Sequence, residues 1–400
     1  MQLVVQKYGG SSVATLEKMN KIADEVIKRK KEGFNVVVVV SAMGKTTNNL
    51  IEMAKSISKE PCKRELDMLM ATGEQVSSSL LSIIFQEKGY SSISLTGFQA
   101  GIKTEGIHTK NKICEIETDK IKRYLEEDKI VVVAGFQGIN TEGDITTLGR
   151  GGSDTTAVAL AAKLNCHCEI YTDVDGIYSV DPRIFPNAKR LDYISYEEMM
   201  EMSCLGAKVM EARSVELAYK YNVPIYVASS HQRGKGTYIK EFDKEMEHKV
   251  ITGLTVSDNV LMETINRVPY SSEYISDIFS RLAKEEVNID MISQTFSGDG
   301  YVNISFTTSK EDESTVDLVM KQYINTPGIS VKKDTDITKI SVVGMGMRNE
   351  SGVASKIFKL FSDSSINFKQ VTTSEISISY IINASDKEKA VNVLCEAFNL

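Results

Sequence analysis

Four hundred residues exceed one ordinary hydrophobic core, so two or three domains are expected. A net charge of −7, with 42% hydrophobic and 25% charged residues, is ordinary for a globular chain and provides no basic run for duplex nucleic acid or an anionic membrane. Leu3-Val4-Val5 opens as a strand rather than a signal peptide, and no run of about 18 apolar residues suits a membrane span. Six cysteines are scattered without a ligand or disulfide pattern, which points to reduced thiols and a cytoplasmic protein.

Leu3 to Gln6 reads as a strand that runs into a glycine turn, Lys7-Tyr8-Gly9-Gly10-Ser11-Ser12. Leu16, Met19, Ala23, Val26 and Ile27 then recur on one helical face. Asn35 to Ser41 carries five consecutive valines, the pattern of a strand buried on both faces in a parallel sheet. Gly44-Lys45-Thr46 is not a Walker A loop, because position 39 is valine where that motif needs glycine. The small polar residues from Ser41 to Thr47 nevertheless sit at the carboxyl end of a strand, where α/β ligands bind.

Two helical stretches, around 49–59 and 61–88, follow. The second holds Ala71-Thr72-Gly73-Glu74, and Glu74 is read either as an exposed helix residue or as a carboxylate beside a site. Ser91 to Thr96 is a strand, 113–127 a charged helix and Ile130 to Phe136 a buried strand. Gly149-Arg150-Gly151-Gly152-Ser153-Asp154 then opens an Ala/Leu-rich helix. Glycines admit a ligand close to the backbone, and the first helical N–H groups present a positive dipole end. Ser153 is placed as the helix cap, Arg150 as a planar donor suited to a carboxylate, and Asp154 as an acceptor.

Glu169 to Tyr171 is another strand. Asp173-Val174-Asp175-Gly176 beyond it lacks the spacing of a calcium loop and reads as a strand-end loop for a polar ligand. Cys166-His167-Cys168 lacks the second pair a metal site needs. Ser195-Tyr196-Glu197-Glu198 is a capping box. Helices follow to about 221, and Val223 to Val227 closes the sheet. Alternation of strand and helix from 3 to 227 defines one large α/β domain with a mostly parallel sheet. After a connecting segment from Ser229 to Lys249, residues 260–335 form a βαββαβ set. A second copy from 339 ends one strand short. An unpaired edge is a liability, so Val250–Val256 is expected to complete it, with the first copy inserted in the second.

These pieces together resemble the monofunctional aspartate kinases. The resemblance rests on Lys7 to Val13, Ser41 to Gly44 with Thr47, Thr72-Gly73-Glu74, Leu95 to Gly101, Gly135 to Gly138, Gly149 to Ala157, Tyr171-Thr172-Asp173 through Asp181-Pro182-Arg183, and Gly206 to Val209. The tail repeats resemble ACT domains, the effector-binding modules of amino-acid biosynthesis. The resemblance implies an α/β fold: a three-layer, mostly parallel amino-acid-kinase domain at 1–230, a linker at 231–249, and two ferredoxin-like ACT domains, 260–335 and 250–259 plus 336–400. It implies ATP, with magnesium carried on the nucleotide, and phosphorylation of the aspartate side-chain carboxylate. Lys7, Gly9, Gly10 and Ser11 would hold the phosphates; Thr172, Asp173, Tyr178, Arg183, Lys208 and Val209 the nucleotide. Ser41, Thr47, Glu74, Arg150 and Ser153 would hold aspartate, and Asp154 would orient the catalytic groups, of which Lys7 and Lys208 are the cations.

An acceptor carboxylate with an ordinary pKa of about 4 is already nucleophilic, so no general base is needed. The work left is positioning and stabilisation of charge. Loss of Lys7 is expected to cost turnover with little stability. The effector is expected to be lysine, with threonine second, at Val268, Ser271, Tyr274, Ile275, Asp290, Ser293 and Gln294. The first repeat departs from the ACT pattern in lacking a glycine before its helix, whereas the second keeps Asn349-Glu350-Ser351-Gly352. A homodimer or homotetramer through these domains is expected. The competing readings are another carboxylate or carbamate kinase of this fold, and a catalytically dead amino-acid sensor.

Overall fold

The computed structural model describes residues 2–230, 235–241, 249–324 and 326–400. Part of the expected linker, 231–234 and 242–248, lies outside the described residues. The chain divides into two compact units. The first runs to Tyr178 and includes Arg190–Cys204 and the segment from Lys208; the second holds Ser179–Lys189, Leu205–Ala207 and the C-terminal tail.

In the first unit, chain order is β1 (Gln2–Tyr8), α1 (Leu16–Lys31), β2 (Phe34–Val40), α2 (Thr46–Ile57), α3 (Lys63–Met70), α4 (Thr72–Glu87) and β3 (Ser92–Leu95). Then come β4 (Ile102–Glu105), β5 (Lys112–Ile116), α5 (Asp119–Glu126), β6 (Ile130–Ala134), β7 (Gln137–Ile139), β8 (Ile145–Thr147), α6 (Gly152–Leu164) and β9 (His167–Thr172). The unit ends with β10 (Tyr193–Ile194), α7 (Tyr196–Cys204), α8 (Ala212–Tyr221), β11 (Ile225–Ser229) and β12 (Thr237–Ile239). The main sheet is ordered β10-β12-β11-β9-β1-β2-β6-β3. Strands β3 through β11 of that order run parallel, and β12 turns back against β11. The valines of β2 and β6 are fully buried because both sheet faces are covered.

Three expectations are corrected. The segment from 113 begins as β5 in a small side sheet, β5-β4-β7-β8, and only from Asp119 does it become helix. The sheet does not close at Val227, because β12 and β10 extend it. The 61–88 helix breaks at Ala71 into α3 and α4. By length and composition Lys63–Glu87 could cross a membrane, but half of its apolar window is packed inside and it carries buried Asp67 and Glu74, as a core helix does. The capping box forms: Ser195 Oγ accepts from the Glu198 N–H at 3.1 Å, and the Glu198 carboxylate accepts from Ser195 in return.

The second unit contains β13 (Gly253–Ser257), β14 (Leu261–Pro269), α9 (Ser272–Lys284), β15 (Ile292–Gly298), β16 (Tyr301–Thr308), α10 (Glu313–Ile324) and β17 (Ser330–Asp334). It continues with β18 (Ile337–Val343), α11 (Val353–Asp363), β19 (Phe368–Thr373), β20 (Ser377–Asn383) and α12 (Lys387–Phe398). Two sheets form, β15-β16-β14-β17 and β13-β18-β20-β19. Strand β13 pairs antiparallel with β18, so the βαββαβ set β14–β17 is inserted between neighbours of the other sheet. Val260, Met262, Met291, Ile337 and Ile381 form a buried cluster drawn from both repeats. An ion pair between Lys339 and Asp290 joins them as well.

Candidate active site

The end of β1 sets the geometry. Alternation along the strand sends Lys7 to the face opposite Tyr8. Lys7 is mostly buried, and its Nζ lies 2.6 Å from Asp154 Oδ1 in the first turn of α6. The two glycine turns therefore converge on one ion pair. Around it the backbone is tightly packed. The Gly9 N–H donates to Tyr171 O at 3.1 Å, Ser41 N–H to Tyr8 O at 3.1 Å, and Gly44 N–H to Gly10 O at 2.9 Å. A Cβ on Gly10 would lie 2.9 Å from Ala42 O, so the 9–12 turn abuts the 41–44 turn. A Cβ on Gly135, just after β6, would lie 2.9 Å from Ser153 Oγ.

Ser153 is not the helix cap. Gly151 occupies that position with φ +63°, and Ser153 is buried within α6 beside Gly135. Glycine is required at 151 because a side chain there is strained in the left-handed region and would strike Glu211.

Glu74 is not an exposed helix residue. It is 3% exposed at the start of α4, where Gly73 packs against Ala42. Its Oε1 accepts from the Ala42 N–H at 3.0 Å, while Oε2 has no partner among the described residues. Burial pushes its carboxyl up to about 7, against the Ala42 N–H that favours the charged form. A buried carboxyl with one oxygen unused suits an incoming cation.

The structure thus brings Lys7, Gly9, Gly10, Glu74, Ser153 and Asp154 together with the Ser41 turn. Thr47 lies half-buried in the first turn of α2, Ser11 is exposed, and Arg150 stands exposed in the turn before α6. At the end of β9, Thr172 O accepts from the Ser230 N–H at 2.9 Å, and Ser12 Oγ donates to Ser230 Oγ at 2.8 Å. Thr172 Oγ1 donates to exposed Asp173, and Tyr178 OH to Asp175 Oδ1 at 2.9 Å. Burial, followed by that bond, raises the Tyr178 phenol. Lys208 is exposed and Val209 half-buried between α7 and α8. Arg183 belongs to the second unit, where its Nη2 lies 2.6 Å from Asp181 Oδ2.

Of the effector candidates, Val268 is fully buried in the first repeat's core, and half-buried Ile275 packs against the same core. Tyr274 rests edge-on against Tyr323, Ser271 precedes α9, and Ser293 and Gln294 lie on edge strand β15. Asp290 is held by Lys339. One cluster escaped sequence reasoning: fully buried Asp67 with His108, Thr109 and Thr147. A helix aspartate and a loop histidine far apart in sequence share no period or motif.

Residues 2–229 match the amino acid kinase family and residues 340–398 match an ACT domain. An aspartokinase of Bacillus sp. strain MGA3 is 47% identical over 404 residues, spanning 100% of this chain and 98% of that protein. The crystal structure of aspartate kinase from Synechocystis is 38% identical, with a TM-score of 0.56, covering 100% of this chain and 69% of that one. At the level of fold, E. coli aspartokinase III in complex with aspartate and ADP superposes with a TM-score of 0.81 at 23% identity, over 99% of each chain. The same enzyme with lysine and aspartate gives 0.78 at 23% identity, again over 99% of each. A matched amino-acid-kinase domain followed by a matched ACT domain defines an ATP-dependent phosphotransferase. The chain belongs to the aspartokinases of the amino acid kinase family.

Proposed function

We propose that this chain transfers the γ-phosphoryl group of ATP to the side-chain carboxylate of L-aspartate, giving 4-phospho-L-aspartate for lysine, threonine and methionine synthesis in the cytoplasm. The observation that carries this reading is the Lys7–Asp154 ion pair where two glycine turns meet, with the unused Glu74 oxygen beside the adjoining 41–44 turn. Lys7 is a compact cation for charge developing on the transferred oxygens, and Asp154 fixes its position. Gly9, Gly10 and Ser11 present backbone to the phosphates, and Lys208 adds a second cation. Thr172, Asp173, Tyr178 and Val209 line the nucleotide's side of the site. Arg150 takes an aspartate carboxylate bidentately, Glu74 its ammonium, and Ser41, Thr47 and Ser153 complete the pocket.

Among the described residues, no three His, Cys, Asp or Glu side chains cluster to hold a metal. Magnesium would be held chiefly by the nucleotide's phosphates, where it would neutralise charge. Lysine, or threonine, acts through the ACT repeats. Strand β15 supports assembly through those repeats, because it is an edge strand with Ile292 and Phe296 exposed. An assay of ADP release with aspartate, glutamate and N-acetylglutamate tests the reading. Turnover with aspartate is expected; preference for another acceptor refutes the substrate, and effector binding without ATP consumption refutes the enzyme.

A further inference from the structure

A cluster outside the reaction centre grips the turn that carries Arg150. Asp67, on α3, has none of its surface exposed. Its carboxyl accepts from the Thr109 N–H at 3.0 and 3.1 Å, lies 2.7 Å from His108 Nδ1, and accepts from Thr147 Oγ1. With Asp67 as acceptor, His108 donates from Nδ1, which sets its ring orientation. Two of these partners lie in the loop between β4 and β5, and the third ends β8. Thr109 has φ +73°, a conformation costly for a β-branched residue and held here by the bonds to its N–H.

The same loop braces the backbone leading to Arg150. The Asn111 N–H donates to Thr147 O at 3.0 Å. Arg213 clamps both segments, donating from Nη1 to Leu148 O and from Nη2 to Asn111 O, each at 2.9 Å. Burial lowers the Arg213 guanidinium from its usual value. A Cβ on Gly149, at φ +77°, would lie 3.2 Å from Thr109 O, so the turn sits directly against the strained residue. Residues 147–149 are therefore pinned from the side of the 107–111 loop, one residue before the guanidinium.

We propose that Asp67 and His108 are positioning residues for Arg150. They hold the 107–111 loop in its strained form, and that loop fixes the Gly149 turn, so the guanidinium meets the substrate carboxylate in one orientation. The inference rests on the reading of Arg150 as the donor to aspartate. A loosened turn costs aspartate affinity and leaves ATP affinity alone, whereas a general loss of fold lowers the active fraction without moving either KM.

The test uses the full chain with Asp67→Asn, His108→Ala, His108→Gln and Arg150→Ala, alone and combined. Asp67→Asn is expected to raise KM for aspartate roughly 10–100-fold, the scale for buried hydrogen bonds to a charged group, with KM for ATP within about twofold. His108→Gln, which keeps a donor, is expected to restore part of what His108→Ala loses. Combined with Arg150→Ala, Asp67→Asn is expected to add nothing further, because both act on one contact. If Asp67→Asn does not fold, the His108→Ala and Arg150→Ala cycle gives the same readout. Additive effects overturn the proposal, as does an unchanged KM in the Asp67 and His108 variants while Arg150→Ala raises it. An unchanged KM in Arg150→Ala refutes the donor reading itself, and the positioning role falls with it.

Discussion

Replacing Glu74 with Gln tests the substrate site through a proton. In the free protein burial holds the Glu74 carboxyl at about 7, because Oε1 has one N–H donor and Oε2 has none among the described residues. A substrate ammonium pairs only with the ionised form. Aspartate binding therefore releases a proton below pH 7, and KM for aspartate falls as pH rises toward that value. One unit lower, only about a tenth of the sites are ionised, so KM at pH 6 is expected to be about tenfold above its plateau near pH 8. Glu74→Gln is expected to raise the plateau KM roughly 30-fold or more, the scale for truncating a buried charge pair, and to abolish its pH dependence. Coupled ADP-release kinetics between about pH 5.5 and 8.5, with ATP saturating, measure both. A flat KM in the unmodified protein, or the same slope surviving in Glu74→Gln, would refute the argument.

Lys7→Ala is expected to lower kcat roughly 10²–10³-fold, and turnover with saturating ATP checks it. The structure revises the expectation of unchanged stability: Asp154 would be left buried and unpaired, costing about 3–5 kcal/mol, which the added change Asp154→Asn should partly restore in denaturant titration. Glu263, 1% exposed on β14, is pushed up to about 7 chiefly by burial, then by Asp317 and Glu313 against Lys333. A carboxyl raised above its unfolded value favours folding at low pH and loses that advantage as pH rises from about 4.5 to 7. Glu263→Gln should therefore gain about 1–3 kcal/mol at pH 8 and little at pH 5; an equal gain at both would be inconsistent with titration. Gly10→Ala forces a Cβ against Ala42 O and should cost about 1–3 kcal/mol, seen as a lower thermal midpoint.

The parallel sheet was legible because runs such as the valines of β2 announce burial on both faces. The site was legible where glycine turns end those strands. Sequence periodicity failed where burial and local geometry decide. Residues 113–116 open a charged stretch that reads as helix through 127, yet they pair with β4. Ser153 has a cap's chemistry, but the left-handed Gly151 takes the cap and leaves Ser153 as the second residue of α6. Thr237–Ile239 is too short to register as a strand, and only its pairing with β11 and β10 reveals it. Glu74 and Asp67 share the polar letters of surface positions, and only packing separates them from solvent.

The insertion of one ACT repeat into the other has a consequence for how the tail is made. β13 and β18 are adjacent in space but lie on either side of the whole β14–β17 repeat. During synthesis, β13 emerges first and waits for a partner that appears only after some eighty intervening residues have left the ribosome. A premature stop anywhere within the inserted repeat leaves that strand with a bare edge, so nascent fragments of this chain should be aggregation-prone even when their N-terminal portion is complete.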